Sequence, residues 1–416
     1  MAGYVGWGRV EAYRLASDIE AIAARGEPVD LSSLDAPLPT PQHVEAARLY
    51  AEAAARAREI AQQDFRMTRF DVDAVVGHVD VVDAEATYKP DAPVLQLLDR
   101  ATPLPFAGFG DTVDGLDRVN VAGLQALSAL SALRADLLAY RGQGDAAVPA
   151  LIAAIGVQRT VADVFSRAVL GARQLGSLRI LLRHASPSAA SLEALQRAFA
   201  GLPDEDGLDR DLMLRRARLI EQQSDALSPG GLPAATAFFL QPFVTRMVRV
   251  QIGQFREVVA AARQPWPDKY ATLATLAANS APRSNRTMIR SALAGDAPNL
   301  AALSAAPVQA GLSLAVRRVA VTALAIERYR RAHGAAPASL DELVPAFLPA
   351  VPIDPFSGHA LVYTTTPGAY RVYSVDANRN DDGGTVYGTG SMNPMPMPKP
   401  RDFGINVPLT ARAVSR

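Results

Sequence analysis

The segment that decides the C-terminal fold begins with Val316–His333, which reads VRRVAVTALAIERYRRAH. Its apolar residues recur every three or four positions with charged residues between them, which predicts an amphipathic helix. A proline-rich connection follows over Gly334–Gly358, GAAPASLDELVPAFLPAVPIDPFSG. Two strand-like runs come next, Ala360–Thr365 and Tyr370–Val375, and then the polar loop Asp376–Gly384, DANRNDDGG. This order predicts a small α+β module at the end of the chain.

Four short motifs in this segment are shared with a known family. They are Tyr329-Arg-x-x-x-Gly334, Leu340-x-x-Leu-Val-Pro345, Leu348-Pro-x-Val-Pro-x-Asp-Pro355 and Tyr370-x-Val-Tyr-Ser374. With the Asp- and Gly-rich loop after them, residues 307–387 resemble the globular domain of the major pseudopilin of type II secretion systems. Some 300 residues precede the corresponding helix, so we interpret the segment as a pilin-like module at the C-terminal end of a larger protein, not as a pilus subunit.

The resemblance implies a structural calcium ion in the loop after the last motif. The candidate ligands are Asp376, Asn378, Asn380, Asp381 and Asp382. Alternating Asp and Asn side chains can turn their oxygens towards one hard cation, and calcium prefers such mixed oxygen ligands. The loop also opens like an EF-hand, but Asp381 stands where glycine makes the sharp turn, and Tyr387 stands where the bidentate glutamate belongs. A solvated turn of Asn and Asp residues stays open as the alternative.

A second acidic cluster offers another kind of chemistry. It comprises Asp71, Asp73, His78, Asp80 and Asp83. A metal-dependent hydrolase would use such carboxylate and imidazole ligands to hold a metal that activates water. The alternative is that these are solvated aspartates beside the valines of an exposed edge strand. The sequence contains no Gly-x-Ser-x-Gly elbow, no His-Glu-x-x-His pair and no Gly-Lys-Ser/Thr phosphate loop, so a non-enzymatic protein is favoured.

The composition is typical of a folded globular protein. The chain has 416 residues, of which 49% are hydrophobic and 20% charged, and its 42 basic residues balance 42 acidic ones. A nucleic-acid partner is disfavoured because phosphate binding needs clustered positive charge. Cysteine is absent, which excludes disulfides and thiol catalysis. We find no run of about 18 apolar residues, so we do not expect the chain as written to span a membrane.

The length predicts two or three domains. We divide the chain into N-terminal helices and an irregular section (1–117), an α-helical body (118–304) and the pilin-like α+β module with an extended Pro-rich tail (305–416). The predicted fold class is therefore mainly α, a multi-helix body followed by a small α+β pilin-like C-terminal module. The tail segment Gly388–Pro400 should be extended because of its prolines, and it should lead to a last short strand over Phe403–Val407.

Most of the chain before the module is predicted to be helical. The predicted helices are Val10–Ala24, Pro41–Gln63, a hairpin with its turn at Gly142–Asp145, and segments at about 159–183, 187–200, 207–226, 233–262, 267–279 and 307–333. In the hairpin, Asp145 is in a position to cap the second arm.

The opening residues Ala2–Arg9, AGYVGWGR, resemble the last turns of a membrane helix, with aromatic residues at interface depth and a basic residue after them. We expect a membrane anchor upstream of this segment, and an ordinary frayed N-terminus is the alternative. Together with the pilin-like module, this leads to the hypothesis of a non-enzymatic scaffold or adaptor of the bacterial cell envelope. Such a protein would be periplasmic or anchored to the inner membrane, and its partners would be envelope proteins, including secretion or pilus components.

Overall fold

The computed structural model describes residues 2–30, 38–63, 92–109, 120–161, 163–204, 207–226, 234–280, 300–384 and 402–409. The structure of these residues is 68% helical. It contains eleven helices and, near the C-terminus, a small antiparallel sheet of three strands. The predicted mainly α fold class with a C-terminal α+β region is confirmed at this level.

The helices account for most of the described residues. They are α1 (Ala2–Ala23), α2 (Pro41–Gln63), α3 (Ala92–Ala101), α4 (Val121–Tyr140), α5 (Gly144–Gln158), α6 (Val164–His184), α7 (Ala189–Ala200), α8 (Leu208–Ala226), α9 (Ala234–Ala262), α10 (Asp268–Ser280) and α11 (Leu300–His333). The bounds of α2 agree with the prediction, and the other predicted helices are present with shifted ends. The helix α3 lies in the section predicted to be irregular, so that prediction is wrong there. Pro93 suits a first helical turn, and Val94, Leu95 and Leu98 then form a buried apolar face.

The chain forms two compact units, and each is built from two separate stretches of sequence. Unit 1 contains residues 1–36 and 207–308, and unit 2 contains residues 37–206 and 309–416. The predicted boundaries at 117 and 304 describe three consecutive domains, whereas these units are discontinuous along the chain. The physical reason is that helices far apart in sequence, such as α1 and α9, pack against each other.

Unit 1 is organised around the packing of α1 on α9 and of α8 on α9. Its described core consists of Leu15, Ile22, Ile220, Val248 and Ile252. Trp7 of α1 packs edge-to-face on Phe243 of α9, with ring centroids 4.9 Å apart. This aromatic residue of the opening segment therefore contacts another helix of the same unit.

A buried ion-pair group at Glu27 joins the two stretches of unit 1. The carboxylate lies 2.9 Å from Arg216, 3.0 Å from Arg263 and 3.5 Å from Arg25. The Arg216 side chain is only 1% exposed and that of Glu27 only 7%. Burial raises the pKa of Glu27, but the hydrogen bonds from Arg216 and Arg263 lower it more, so the pKa lies below its ordinary value of 4.5.

We expect unit 1 to lose stability in acid through Glu27. Because the pKa of Glu27 is lower in the folded protein, its ion pairs contribute stability above about pH 4.5, which is lost as the pH falls through the folded pKa. Both tryptophans, Trp7 and Trp266, belong to unit 1, so tryptophan fluorescence reports its thermal unfolding. The melting temperature should fall more steeply with acidification in the parent than in Glu27→Gln, which cannot titrate. Equal slopes would contradict this prediction.

Unit 2 has one core formed by α2 to α7, the middle of α11 and the sheet. Val316, Val319 and Ala323 on the apolar face of α11 are completely buried, as the helical periodicity predicts. On the helical side, Arg328 donates to the Gln196 side-chain oxygen of α7 at 2.8 Å. On the sheet side, the Tyr370 hydroxyl donates to the Ala323 carbonyl at 3.4 Å. The C-terminal module thus shares its long helix, and its core, with the helices before it.

The sheet consists of β1 (Val362–Thr366), β2 (Ala369–Ser374) and β3 (Phe403–Pro408), antiparallel and in that spatial order. The register pairs Val362 with Tyr373 and Ser374 with Phe403. The two predicted strand-like runs and the predicted last strand are therefore confirmed. The Gly388–Pro400 segment lies outside the described residues.

Asp145 does not cap the second arm of the hairpin, so that prediction is wrong. The helix α5 begins at Gly144, and its N-cap residue Gln143 makes no side-chain capping bond. Asp145 lies inside the first turn, and its carboxylate accepts a hydrogen bond of 2.7 Å from the Ser188 N–H at the start of α7. Because Asp145 lies two positions after the N-cap residue Gln143, its carboxylate does not cap α5 and instead stabilises the start of the neighbouring helix α7.

Among the described residues, two helices are long and apolar enough to cross a membrane by length and composition alone. They are Val121–Tyr140 and Ala305–His333, with mean hydropathies of 1.2 and 1.3. This corrects the expectation that no segment is apolar enough to span a membrane. Both helices contain polar residues between the apolar ones, but their mean hydropathy over 18 residues is still high enough. In each case 72% of the apolar window is buried, as expected for core helices of a folded protein, so the result is weak evidence for a membrane span.

Candidate functional site

The polar loop 376–384 starts just beyond the end of β2 and carries the five predicted metal ligands. Within it the backbone is left-handed at Asp376, Arg379, Gly383 and Gly384, with φ of 59°, 60°, 74° and 71°. At Gly384 an added Cβ would also stand only 3.0 Å from the ring of Tyr373. Glycine is therefore needed at 384 by both the backbone conformation and the close approach of the ring.

Hydrogen bonds within the loop join three of the five predicted ligands. The Asn378 side-chain amide donates to Asp382 Oδ2 at 2.8 Å. The Asn378 Oδ1 atom in turn accepts from the backbone N–H of Asn380 at 3.0 Å. Residues 378, 380 and 382 thus form one turn in which side-chain oxygens and amides satisfy each other, as Asn and Asp commonly do in loops.

The other two predicted ligands have different partners. Asp381 Oδ1 accepts from the Gly383 N–H at 2.9 Å and from the Tyr373 hydroxyl at 3.1 Å. Asp376 Oδ1 accepts from the N–H of Ala377 at 2.6 Å. The structure therefore links Asp381 to the sheet through Tyr373, while Asp376 caps the beginning of the loop.

Asp402, directly before β3, fastens the end of the loop, and sequence reasoning missed this residue. It is completely buried, and its two carboxylate oxygens accept from the Asp382 N–H at 3.2 Å and the Gly384 N–H at 2.7 Å. The pairing of Phe403 with Ser374 places the residue before β3 beside the loop that follows β2. The sequence shows that Asp402 directly precedes a predicted strand. Only the pairing of β3 with β2 shows that its carboxylate binds the N–H groups of the loop.

Asp354 fastens the beginning of the loop from the proline-rich connection. It is 1% exposed, and Oδ1 accepts from the Ser374 hydroxyl at 2.7 Å and the Phe356 N–H at 3.0 Å. The Oδ2 atom accepts from the Val375 N–H at 3.0 Å and the Ser357 hydroxyl at 3.2 Å. One carboxylate therefore holds both its own turn and the end of β2, where the loop departs.

Burial, and to a smaller extent neighbouring carboxylates, shift the pKa values of two groups beside the loop. Burial raises the pKa of Asp402, and the charges of Asp381 and Asp382 raise it further, although two backbone N–H groups oppose the change. Burial and the hydrogen bond to Asp381 also raise the pKa of Tyr373. A cation near the carboxylates of Asp381, Asp382 and Asp402 would reduce the repulsion between them.

The donors available in the loop are of the kind that calcium prefers, namely carboxylate and amide oxygens. Asp402 adds a carboxylate from a distant segment, which the loop sequence alone does not provide. Among the residues that the structure describes, however, no three Asp, Glu or His side chains are arranged to hold a metal ion. Calcium binding by Asp376, Asn378, Asn380, Asp381 and Asp382 stays a prediction.

The acidic cluster of the alternative hypothesis cannot be placed. Asp71, Asp73, His78, Asp80 and Asp83 lie outside the described residues.

No protein-family model, no curated protein and no solved structure matches this chain.

Proposed function

We propose that this chain is a non-enzymatic scaffold or adaptor of the bacterial cell envelope, with a pseudopilin-like C-terminal module that works beside secretion or pilus machinery. The observation that carries the proposal is the packing of a long helix, α11, on an antiparallel sheet in which an acidic loop follows β2. Over residues 307–387, the order of α11, β1, β2 and the loop resembles that expected for the pseudopilin globular domain.

The way α11 is buried supports a scaffold role. Its apolar face belongs to the same core as α2 to α7 and the sheet, so the module is held rigidly by the helices of unit 2. A rigid support is what a docking module needs, because a partner then binds without first ordering the surface.

The outer edge of β1 supports an adaptor role. Within the described residues β1 pairs with β2 alone, and Thr364, Thr365 and Thr366 are exposed. An exposed strand edge presents backbone N–H and C=O groups to which an extended segment of a partner can add a strand. The proposal therefore assigns this edge to protein partners of the envelope.

Crosslinking at the β1 edge tests the proposal. A photoreactive amino acid at Thr365, introduced in the bacterium that encodes the chain, should give a discrete adduct with an envelope protein, and the chain should fractionate with the periplasm or inner membrane. The same amino acid at Ala55, an exposed position on α2, serves as the control. Fractionation with the cytoplasm, or equal crosslinking at both positions, would refute the proposal.

The proposed calcium site gives a separate prediction for unit 2. Calcium should raise the melting temperature measured by far-UV circular dichroism and a chelator should lower it, because an ion that binds only the folded state stabilises it by mass action. At a calcium concentration of 100 times Kd the stabilisation would be about 2.7 kcal/mol. Magnesium should substitute poorly, because it demands near-octahedral geometry.

Variants of the loop provide the control for this experiment. The double change Asp376→Ala and Asp382→Ala should abolish the calcium dependence and leave the helical content unchanged. Asp341→Ala, in the exposed part of the short turn Leu340–Leu343, removes a carboxylate outside the loop and should keep the dependence. Calorimetry that detects no binding at millimolar calcium, with melting unaffected by chelator, would show that the loop is only a turn.

A further inference from the structure

Unit 1 contains a cavity whose polar lining is almost entirely arginine. Its volume is about 260 Å³, it is partly open to solvent, and it is lined by residues of α1, α8 and α9 and by Arg25 just after α1. Arg25, Arg216, Arg249 and Arg256 line it, and among the described lining residues only Asp18 is acidic. Ile22 and Ile252 contribute an apolar part of the wall. Ligand sites of drug-like size typically exceed about 300 Å³, so this cavity suits a small ligand.

The buried Arg216 has unused hydrogen-bonding capacity. Its side chain is 1% exposed, and Nη1 donates to Glu27 at 2.9 Å. Its Nε and Nη2 atoms have no hydrogen-bond partner within the part of the chain that the structure describes. A buried guanidinium nitrogen without a partner is costly, and such a group usually signals a missing ligand, ion or water.

The carboxylates around the cavity do not neutralise its arginines one for one. Glu27 is shared between Arg216, Arg263 and Arg25. Burial lowers the pKa of Arg216, and although Glu27 opposes this change, the neighbouring charges of Arg25 and Arg263 lower it further. The immediate surroundings of Arg216 therefore carry an excess of positive charge.

The same imbalance holds on the α9 side of the cavity. Arg249 donates to Glu11 at 3.0 Å, and Glu11 also pairs with Arg14 at 3.4 Å. Arg256 has no ion-pair partner among the described residues, and its side chain is exposed. An anion entering the cavity would thus meet one buried and three more accessible guanidinium groups.

We propose that this cavity binds a phosphate group, carried either by a small soluble molecule or by a lipid headgroup. Guanidinium groups recognise phosphate through two parallel hydrogen bonds, a geometry that the exposed Arg256 can provide directly and that the buried Nε and Nη2 of Arg216 can provide after a small movement of the side chain. The excess of arginine would stabilise a dianion, and the apolar wall would accept a short hydrocarbon portion next to the phosphate.

Titration of the full-length protein with inorganic phosphate is the first test. Calorimetry should show saturable binding, and the melting temperature of unit 1, followed by tryptophan fluorescence, should rise with phosphate concentration. Arg256→Gln should weaken binding about tenfold, because a charged hydrogen bond is lost. Arg216→Lys keeps the pairing with Glu27 but removes the forked donor, and it should also cost about tenfold or more.

Arg246→Gln is the matched control, because Arg246 is an exposed arginine on the same helix, α9, outside the cavity lining. Its affinity for phosphate should equal that of the parent. The proposal is overturned if no saturable binding occurs up to about 10 mM phosphate, or if Arg246→Gln weakens binding as much as Arg256→Gln does. If Arg216→Lys fails to fold, Arg256→Gln alone decides the test, because Arg256 is exposed and its replacement should leave unit 1 folded.

Competition experiments identify the source of the phosphate group. Glycerol 3-phosphate that displaces inorganic phosphate, without displacement by vesicles, indicates a soluble ligand. Displacement by phosphatidic-acid-containing phosphatidylcholine vesicles, but not by phosphatidylcholine vesicles alone, indicates a lipid headgroup. If phosphate binds saturably but neither competitor displaces it, the inference that the cavity is a site for a phosphate-bearing molecule is overturned.

Discussion

Replacing Ala323 by Asp is expected to lower the free energy of unfolding of unit 2 by more than about 4 kcal/mol. Ala323 is completely buried on the face of α11 that belongs to the common core, and its carbonyl lies against the Tyr370 hydroxyl. A carboxylate at this position would be buried in the apolar core. Burial of such a charge is among the few single changes that destabilise a protein this strongly.

The measurement must separate the two units. Far-UV circular dichroism reports helices of both units, whereas tryptophan fluorescence reports unit 1, which contains both tryptophans. In urea, the Ala323→Asp change should shift the transition seen by circular dichroism to much lower denaturant. Ala332→Asp places the same charge on an exposed position of α11 and should cost about 1 kcal/mol or less. If both variants unfold like the parent, the described packing of α11 is wrong.

Replacing Asp354 by Ala is expected to cost about 3–5 kcal/mol of unit 2 stability. The change leaves the N–H groups of Phe356 and Val375 and the hydroxyl of Ser374 without their acceptor. All of them lie in a region that is closed to solvent, and an unsatisfied buried donor costs about 1–3 kcal/mol. Because Val375 directly precedes the loop 376–384, the variant should also weaken any stabilisation by calcium.

Two further variants make the Asp354 result interpretable. Asp354→Asn keeps one acceptor oxygen and should therefore be intermediate in stability, whereas Asp341→Ala removes an exposed aspartate and should change stability by less than about 0.5 kcal/mol. Urea denaturation, monitored by circular dichroism, gives the free energy of unfolding of Asp354→Ala, Asp354→Asn and Asp341→Ala for comparison. A loss no larger in Asp354→Ala than in Asp341→Ala would mean that Asp354 does not bridge the turn and β2.

The candidate loop could be located from the sequence, but its attachment could not. Alternating Asp and Asn residues with two glycines predict a polar turn, because these residue types tolerate left-handed backbone and bond to their own N–H groups. Asp354 accepts hydrogen bonds from Ser374 and Val375, 20 and 21 positions later, and Asp402 accepts from Asp382 and Gly384, 20 and 18 positions earlier. Hydrogen bonds between residues so far apart in sequence depend on which strands pair. The pattern of neighbouring residues in the sequence does not determine that pairing.

The sequence by itself determined the elements that depend on neighbours along the chain. The apolar repeat of α11, the bounds of α2 at Pro41–Gln63 and the three strands β1 to β3 follow from periodicity, propensity and turn residues acting over a few positions. Only the tertiary structure decided which elements meet. The pairing of Glu27 with Arg216, 189 positions away, and the division into two discontinuous units arise from the packing of helices that are remote in sequence. The physical reason is that an apolar face specifies that it must be buried, but not which of several similar faces will cover it.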